Sequence, residues 1–347
     1  MRFLATADLH LNNYSTFSTI DKSGLNTRLL DGLSVLDEIR RYAIKHKITD
    51  FLFLGDLLHQ RTKLSIDVAF AAYERLKQFK AHNIRLYLLV GNHDLFLRSN
   101  KIFSPKLFDE IALVVDQPRA IDLDGQRLCF IPFIESTKRR KKEIEKLARK
   151  DSILLAHTPV IGAKADNEFM LRKGLEFKDL HPGLFKLILL GDFHKHQWLA
   201  DNVMYLGSPL QLNMGERSEQ KGFWDIEVND KFKATFVPTQ APKFILLDYE
   251  EEGEVEVEGN YVKVILPANV DSLDTLAIRH ELEMAGAKAV SIEQRAKLEQ
   301  AEARINLKLG MTFREMVGKY TEGSSTELDK KRLVKVGTEL MEGENGY

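Results

Sequence analysis

Residues 51–59 of the chain read Phe-Leu-Phe-Leu-Gly-Asp-Leu-Leu-His. The four apolar residues Phe51–Leu54 predict a short, fully buried strand. Gly55 ends that strand, and Asp56 and His59 follow it at once. A carboxylate and an imidazole in this position are suitable ligands for a divalent metal ion. Taken singly, however, such a pair is more often a cap or a satisfied polar pair than a metal site.

The same arrangement follows four other apolar runs, Phe3–Ala7, Leu86–Val90, Ile153–Ala156 and Leu187–Leu190. In open α/β sheets the carboxyl ends of the strands meet at one edge, where functional sites form. Unrelated loop residues would rarely produce five such strand ends in order. The sequence therefore predicts one metal site, and its candidate residues are Asp8, His10, Asp56, His59, Asn92, His93, Asp94, His157, Asp192, His194 and His196.

Helical patterns alternate with these strands, which predicts an α/β fold. Later apolar runs at Met204–Leu206 and Phe223–Val228 predict strands without intervening helices, so we expect mixed sheets. A boundary falls near Pro238–Pro242, and a βαβ-like pattern follows it. After Gly310 the pattern becomes helical.

The composition excludes several classes of protein. A length of 347 residues, of which 44% are hydrophobic and 29% charged, is typical of a globular chain of about two domains. The apolar runs are shorter than a membrane span requires, and Met1 leads directly into a strand, so we expect no signal peptide. The single cysteine, Cys129, excludes an internal disulfide and fits a reducing, cytoplasmic compartment. The net charge of −1 gives no basic footprint for nucleic acid.

The order of the strand ends resembles the calcineurin-like metallophosphoesterases, whose pattern is Asp-x-His, Gly-Asp, Gly-Asn-His-Asp/Glu, His and Gly-His-x-His. The resemblance covers roughly residues 1–240 and is strongest to the SbcD-type DNA-repair nucleases and their phage relatives. It implies a four-layer α/β/β/α sandwich with the metal site at one edge, a small α+β cap domain and a C-terminal helical tail. The further matches are His59, Ile131-Pro132-Phe133, Leu206–Gln211, Gly215-Glu216 and Gly222–Trp224.

Carried over position by position, the resemblance implies two divalent ions about 3.5–4 Å apart. Asp8 and His10 would hold the first ion, Asp56 would bridge both, and Asn92 and His157 would hold the second. Nitrogen and oxygen ligands without a thiolate favour Mn²⁺, with Mg²⁺ as a substitute.

The last motif departs from the family, because Gly191-Asp192-Phe193-His194 stands where Gly-His-x-His is usual. Aligned without a gap, Asp192 replaces the histidine of the second ion, His194 keeps its role at the first, and His196 is supernumerary. A shifted frame would instead pair His194 with His196. We favour the ungapped alignment, since Gly191 directly follows the strand and a carboxylate suits a hard divalent ion.

The resemblance also assigns roles to residues that are not metal ligands. In the family, the residue at the position of His93 contacts the phosphate and assists the leaving group. His59 is similar to a second histidine of that kind. Asp94 is expected to orient His93 as a carboxylate outside the ligand set.

The strongest positive run lies outside the metal site, at Lys138-Arg139-Arg140-Lys141-Lys142. The ordinary interpretation is a solvated helix face. The functional interpretation is a stripe that binds DNA phosphates.

The resemblance divides the chain into a nuclease domain (1–240), a cap domain that binds DNA (243–310) and a helical tail (311–347). The tail lies where relatives dock an SbcC-type ABC ATPase with a coiled coil. The alternatives are a cap that only packs and tail helices that pack on the protein itself. We also expect a homodimer.

The resemblance therefore implies a two-metal DNA exonuclease, with possible endonuclease activity, in a repair or recombination complex. A phosphomonoesterase or cyclic-nucleotide phosphodiesterase is the nearest alternative, although neither has need of a cap and tail. A non-catalytic scaffold is the second alternative, yet every ligand position holds a competent residue.

Overall fold

Two six-stranded sheets form most of the chain. The computed structural model describes residues 1–96, 102–164, 173–250, 255–295, 311–323 and 328–343, without the side chains of residues 313 and 339–343. In spatial order, the first sheet consists of β12 (Phe232–Pro238), β11 (Gly222–Val228), β1 (Arg2–Thr6), β2 (Asp50–Phe53), β3 (Arg85–Leu89) and β4 (Leu113–Val115). The second consists of β5 (Arg119–Leu123), β6 (Gln126–Ile131), β7 (Ser152–His157), β8 (Phe185–Gly191), β10 (Val203–Tyr205) and β9 (Gln197–Ala200).

Both sheets are mixed, as the sequence predicts. Strands β1 to β4 are parallel, while β11 and β12 run antiparallel at one side. In the second sheet β6, β7, β8 and β10 are parallel, and β5 and β9 are antiparallel edges. The parallel centres bring the carboxyl ends of five strands to the same edge of the sandwich.

Side-chain alternation along the strands produces four layers. Phe3 and Leu52 lie between the sheets, whereas their neighbours Leu4 and Phe53 pack beneath helices α1 (Thr27–His46) and α2 (Ile66–Ala81). On the second sheet, the outward residues pack against α3 (Thr137–Leu147) through Ile144. Because successive strand residues point to opposite faces, apolar runs on both faces require cover on both sides. The predicted α/β/β/α sandwich is confirmed.

Helix α1 begins at a clear capping signal. The Asn26 side chain accepts hydrogen bonds from the backbone N–H groups of Arg28 and Leu29, which satisfies two of the donors that a helix start leaves open. The helix ends at Lys47, which adopts the left-handed conformation. The cap places Arg28 in the first turn, close to the carboxyl ends of the strands.

A small three-stranded module follows the sandwich. It consists of β13 (Phe244–Asp248), β14 (Tyr261–Leu266), α4 (Ser272–Met284) and β15 (Ala289–Gln294), in the order β13-β14-β15. The predicted strand-helix-strand pattern is present, and β13 is an additional strand. The Tyr261 hydroxyl and the Lys288 ammonium both bind the Asp31 carboxylate on α1. Residues 296–310 of the expected cap domain lie outside the described residues.

Helices α5 (Phe313–Gly323) and α6 (Lys330–Gly343) belong to a second compact unit, residues 294–347, separate from residues 1–293. The two helices pack closely, since a Cβ atom at Gly337 would lie 3.1 Å from Val317. Tyr320, Leu328 and Val336 are exposed. No helix in the described part of the chain could span a lipid bilayer.

Candidate metal centre

The polar residues after the central strands meet at one edge of the sandwich. Candidate ligand atoms of Asp8, Asp56 and His157 lie within 4.8 Å of one another, and so do those of Asp8, His10 and His194. The first three residues are buried, as is His10. The strand ends that the sequence analysis singled out therefore converge in space.

The loops at this edge carry unusual backbone geometry. Asp8, His10, Asp56 and Asp192 adopt positive φ angles of 55°, 49°, 58° and 104°. A side chain in this region costs on the order of 1–3 kcal/mol, and such residues cluster at functional sites. Neighbouring loops hold the conformation, because the Asp8 and His10 N–H groups donate to the Gly55 and Asp56 carbonyls, each at 3.0 Å.

Two glycines are required by close approach. A Cβ atom at Gly55 would lie 2.2 Å from Nδ1 of His157, and one at Gly91 would lie 2.2 Å from Oδ1 of Asp56. No side chain fits at either position without displacing a candidate ligand. The Gly-Asp and Gly-Asn pairs of the sequence thus reflect the tight packing of loops from both sheets.

One half of the centre is built around His157, and we call it the His157 half. The His157 Nδ1 donates to the Leu54 carbonyl at 2.7 Å. With Nδ1 held by this bond, Nε2 is the ring nitrogen that can bind a metal ion. That atom lies 3.7 Å from Oδ1 of both Asp56 and Asp192, and 2.8 Å from the Asn92 amide.

Asn92 also reveals a residue that the sequence analysis missed. The Asn92 amide oxygen lies 2.8 Å from Nε2 of His157, where it could serve as a metal ligand. The amide nitrogen lies 2.9 Å from Nη2 of Arg61, so in this orientation the amide gives the guanidinium no acceptor. The charge of Arg61 is therefore available beside the centre. Only its place two residues after His59 could have pointed to it.

The other half is built around His194, and we call it the His194 half. The His194 Nδ1 donates to Oε1 of the fully buried Glu216 at 2.9 Å. The second Glu216 oxygen accepts from Lys221 at 2.8 Å and from the Leu212 N–H at 3.0 Å. Glu216 therefore holds the Nδ1 atom of His194, as the Leu54 carbonyl holds that of His157. The Nε2 atom of His194 is the one that can bind a metal ion.

The ion pair in the His194 half shifts the pKa values of both His194 and Glu216. Burial alone would lower the pKa of His194, but the bond to Glu216 raises it to about 9. Burial would raise the pKa of Glu216, but His194 and Lys221 hold it at about 2. The resemblance included Gly215-Glu216 without a role for the carboxylate, and the structure supplies one.

The side chains fit divalent cations. Burial raises the pKa of Asp8 to about 7, and burial also raises the pKa values of Asp56, Asp94 and Asp192. Such shifts show that the carboxylate charges lack sufficient compensation from the protein alone. Carboxylate, amide and imidazole donors without a thiolate are the ligand set of hard or borderline divalent ions.

His93 lies beside the cluster. Its Nδ1 donates to the His59 carbonyl at 2.9 Å, so Nε2 is the atom left to meet a substrate. Its backbone N–H donates to Oδ1 of Asp56 at 2.8 Å. Burial lowers the pKa of His93 to about 4. The His59 ring stacks on His93, and its Nδ1 lies 3.3 Å from Nδ1 of His10.

The Asp94 carboxylate has a different position from the one expected. Oδ2 accepts the N–H groups of Gly91 at 2.8 Å and Asp56 at 2.9 Å. It therefore supports the backbone of two ligand loops, whereas the expected partner, the His93 ring, is held by a main-chain carbonyl instead.

His196 lies away from the candidate ligands. Its ring centroid is 4.5 Å from that of Phe236 and 6.0 Å from that of Trp224. Among the described residues neither His196 nor Asp192 belongs to the metal-competent groups, but Oδ1 of Asp192 lies 3.7 Å from Nε2 of His157. This position, with Asp192 beside His157, fits the ungapped alignment.

The positive run on α3 is only partly exposed. Lys138, Arg139 and Lys142 are exposed, while Lys141 forms an ion pair with Asp179 at 2.7 Å. Arg140 is buried and donates to Oγ1 of Thr158 at 2.8 Å. Arg140 thus has a structural bond and does not face solvent with the other basic residues.

A cavity of about 380 Å³ opens above the cluster. Its walls include seven residues of the centre together with Thr16, Leu212 and Asn213, and two further residues, Tyr14 and Arg28, also line it. The cavity is large enough for a phosphate ester and its immediate substituents.

Comparison with known proteins matches residues 1–196 to the calcineurin-like phosphoesterases. Exonuclease subunit 1 of Enterobacteria phage T4 is 24% identical over 295 residues, covering 82% of this chain and 81% of that protein. Putative phosphoesterase 078R of Invertebrate iridescent virus 3 is 26% identical over 206 residues, or 56% of this chain and 57% of that protein. A dimetal phosphatase from Danio rerio aligns at 9% identity with a TM-score of 0.44, covering 68% of this chain and 98% of that one. The Pseudomonas putida nuclease MPE aligns at 16% identity with a TM-score of 0.27, covering 58% and 66%.

Proposed function

The chain belongs to the calcineurin-like phosphoesterase family, and we propose that it is a metal-dependent DNA phosphodiesterase, an exonuclease with endonuclease activity at the same site. The observation that carries the proposal is the pair of imidazole rings, His157 and His194, whose Nδ1 atoms are held by outer hydrogen bonds so that both Nε2 atoms face shared carboxylates. The similarity to a phage exonuclease subunit supports DNA as the substrate.

The proposed metal ligands fall into two sets that share Asp56. Asp8, His10 and His194 would hold one ion, and Asn92, His157 and Asp192 the other. Such a pair of ions neutralises phosphate charge and lowers the pKa of bound water toward neutrality. We propose Mn²⁺ as the metal, with Mg²⁺ as a substitute.

His93 supplies the proton for the leaving oxygen in this proposal. Its Nδ1 is fixed on the His59 carbonyl, so Nε2 exchanges the proton. Burial makes this imidazole neutral in the free protein. An anionic phosphate beside Nε2 opposes that effect and favours the protonated ring, which then donates to the departing alkoxide. His59 holds the ring in place by its carbonyl and by stacking.

Arg61 adds positive charge on the Asn92 side of the site. With the Asn92 oxygen directed at His157, the guanidinium has no acceptor on the Asn92 amide. A planar guanidinium binds two phosphate oxygens at once. We assign Arg61 to the non-bridging oxygens of the scissile phosphate.

The proposal includes partners and a setting. The exposed apolar residues of α5 and α6 would dock an SbcC-type ABC ATPase with a coiled coil, as part of DNA repair or recombination in the cytoplasm of a bacterial cell or phage-infected host. The name of the T4 relative, a subunit, supports a multi-subunit assembly. Ile66 and Phe70 on α2 are largely exposed, and we propose that this face joins two copies as a homodimer. The exposed members of the α3 run would contact DNA phosphates.

The decisive experiment compares DNA with small esters. Purified full-length protein with Mn²⁺ is incubated with end-labelled duplex and single-stranded DNA, with bis(4-nitrophenyl) phosphate and with 4-nitrophenyl phosphate. We expect cleavage of DNA and of the diester. Turnover of the monoester alone would favour a phosphomonoesterase, and no turnover of any substrate would favour a non-catalytic scaffold.

A further inference from the structure

Arg28 is a buried cation without a carboxylate of its own. It is 5% exposed, and Nη2 donates to the Leu212 carbonyl at 2.7 Å. The carboxylates whose charge acts on Arg28 are Asp31 and Glu216, and both already form ion pairs with lysines. Within the described residues no ion pair to Arg28 is formed. Burial of a charge without a partner is costly, so the arrangement calls for an anion from outside the protein.

Three aromatic rings fix the position of the guanidinium. Its central carbon lies 4.0 Å from the Tyr14 ring centroid, 5.2 Å from that of Phe244 and 5.7 Å from that of Tyr261. Ring faces attract a cation but form no directed hydrogen bonds with its N–H groups. Burial raises the pKa of Tyr14 to about 12, so this phenol is neutral and leaves the charge unbalanced.

Tyr14 connects Arg28 to the metal centre. Its hydroxyl donates to the His10 carbonyl at 2.8 Å, and its ring lies 5.8 Å from the His59 ring. Arg28 and Tyr14 line the same cavity as His93 and Asp192. Tyr14 therefore contacts both Arg28 and the residues of the centre, and a phosphate at the candidate ligands shares a cavity with Arg28.

We infer that Arg28 forms an anion subsite for the phosphate that neighbours the scissile one in a nucleic-acid strand. This inference rests on the proposed function and names the feature that selects polynucleotides over small phosphate esters. A guanidinium suits the task because its planar N–H groups bind phosphate oxygens in pairs. Phe244 on β13 and Tyr261 on β14 contact the guanidinium. The three-stranded module therefore forms part of the subsite.

The test separates substrates with and without a second phosphate. Arg28→Gln is compared with the wild-type protein on a single-stranded oligonucleotide and on bis(4-nitrophenyl) phosphate, with Mn²⁺. We expect kcat/KM for the oligonucleotide to fall at least ~10-fold, mainly through KM, since charged hydrogen bonds contribute roughly this much. The value for the small diester should change less than about 2-fold.

A binding measurement gives a readout that is independent of turnover. In a His93→Ala background with Mn²⁺, oligonucleotide affinity is followed against salt concentration. Loss of one phosphate contact should reduce the slope of log K against log salt by about 1. Arg28→Lys keeps the charge and should retain that slope, while losing part of the affinity because a lysine binds phosphate at a single point. Should Arg28→Gln fail to fold, the same comparison is made with Arg28→Lys alone, for which an oligonucleotide-specific rise in KM is required.

Arg41→Gln is the matched control. It makes the same change on the same helix, at an exposed arginine that does not line the cavity, so it should leave both substrates unchanged. Equal losses on both substrates in Arg28→Gln, or an unchanged salt slope, would overturn the anion subsite. A wild-type protein that cleaves the small diester and no DNA would instead overturn the proposed function.

Discussion

His157 and His194 both present Nε2 toward the centre, but different groups hold their Nδ1 atoms. Behind His157 lies a neutral main-chain carbonyl, and behind His194 lies the charged Glu216. The proposed ligand sets differ as well. The His194 half would offer two imidazoles, His10 and His194, with the Asp8 carboxylate, while the His157 half would offer one imidazole, an amide and the Asp192 carboxylate. The two halves therefore provide different donors, although they share Asp56.

This difference has a consequence for metal binding. Nitrogen-rich sites favour later transition metals, and oxygen-rich sites favour Mg²⁺ and Mn²⁺. The His194 half should therefore bind Mn²⁺ or a later ion more tightly, and the His157 half should bind hard ions with less preference. The predictions below test this comparison in order of expected effect.

Removal of the shared ligand should affect both halves. We expect Asp56→Asn to reduce phosphodiesterase activity at least ~10³-fold, about 4 kcal/mol in barrier terms, because a neutral amide weakens both sites at once. Initial rates at saturating Mn²⁺ measure the effect. Near-normal turnover would contradict the bridging role.

His93→Ala should leave metal binding in both halves unchanged. We expect turnover to fall ~10²-fold or more, the usual range for a proton donor, while two ions per chain remain by metal analysis. His59→Phe, which keeps the carbonyl and the stacked ring, is the control and should reduce turnover less. Loss of both ions in His93→Ala would show that His93 is a ligand.

The His157 half can be tested at the residue that departs from the family. Asp192→Ala should lower affinity for one Mn²⁺ of the two by ~10–100-fold, whereas Asp192→His should retain both ions. His196→Ala is the control, and we expect two ions and most of the activity. If His196→Ala loses an ion and Asp192→Ala does not, the shifted alignment is correct.

The His194 half can be tested at Glu216, which holds the His194 ring without being a proposed metal ligand. Glu216→Gln should weaken one Mn²⁺ by ~10–100-fold, the usual effect of an outer-shell change. Glu219→Gln is the matched control, because Glu219 binds Lys221 without contacting His194. Isothermal titration with Mn²⁺ should show the change confined to one of two sites. Equal weakening of both sites would mean that the halves are not independent.

The same variant has a pH signature in the metal-free protein. The pKa of His194 is raised to about 9, so its contribution to stability is complete below about pH 6.5 and is lost as pH rises through 9. The pKa of Glu216 is lowered to about 2, so its contribution is present above about pH 4.5 and is lost toward pH 2. The Tm difference between wild type and Glu216→Gln should therefore be largest between pH 4.5 and 6.5. A pH-independent difference would contradict the ion pair.

The smallest effect on the centre is expected from the tail. Deletion of residues 311–347 should leave Mn²⁺ binding and basal cleavage of single-stranded DNA unchanged, since every proposed ligand precedes residue 200. Co-purification with an ATPase partner should be lost. Unfolding of residues 1–240 on deletion would show that the tail helices belong to the core of that region.

Much of the fold follows from local patterns in the sequence. Short apolar runs such as Phe51–Leu54 and the helical spacing between them predict the sandwich, because both faces of each central strand are buried. The sequence analysis does not predict strand β13, since Phe244–Asp248 follows a proline-rich boundary and pairs with β14, a segment further along the chain. Pairing over such a distance leaves no local signal.

The candidate site shows where sequence reasoning reaches its limit. The strand-end residues could be predicted because parallel strands bring their carboxyl ends together. The partner of His194 could not, because the role of Glu216 depends on a loop 22 residues away in sequence. Arg28 and Arg61 were missed for the same reason. Asp94 was placed at the site, but which N–H groups its carboxylate accepts depends on how two loops pack.

The hydrogen bonds between Asp192 and Asp8 join residues that are 184 positions apart. Strand β1 also lacks its neighbour β11 until residue 228 has been made. On a ribosome that adds about 5–20 residues each second, the first ligands emerge on the order of ten seconds or more before their partners. The growing chain therefore cannot assemble the centre step by step during synthesis. We therefore expect a metal ion to bind only after the sandwich has folded.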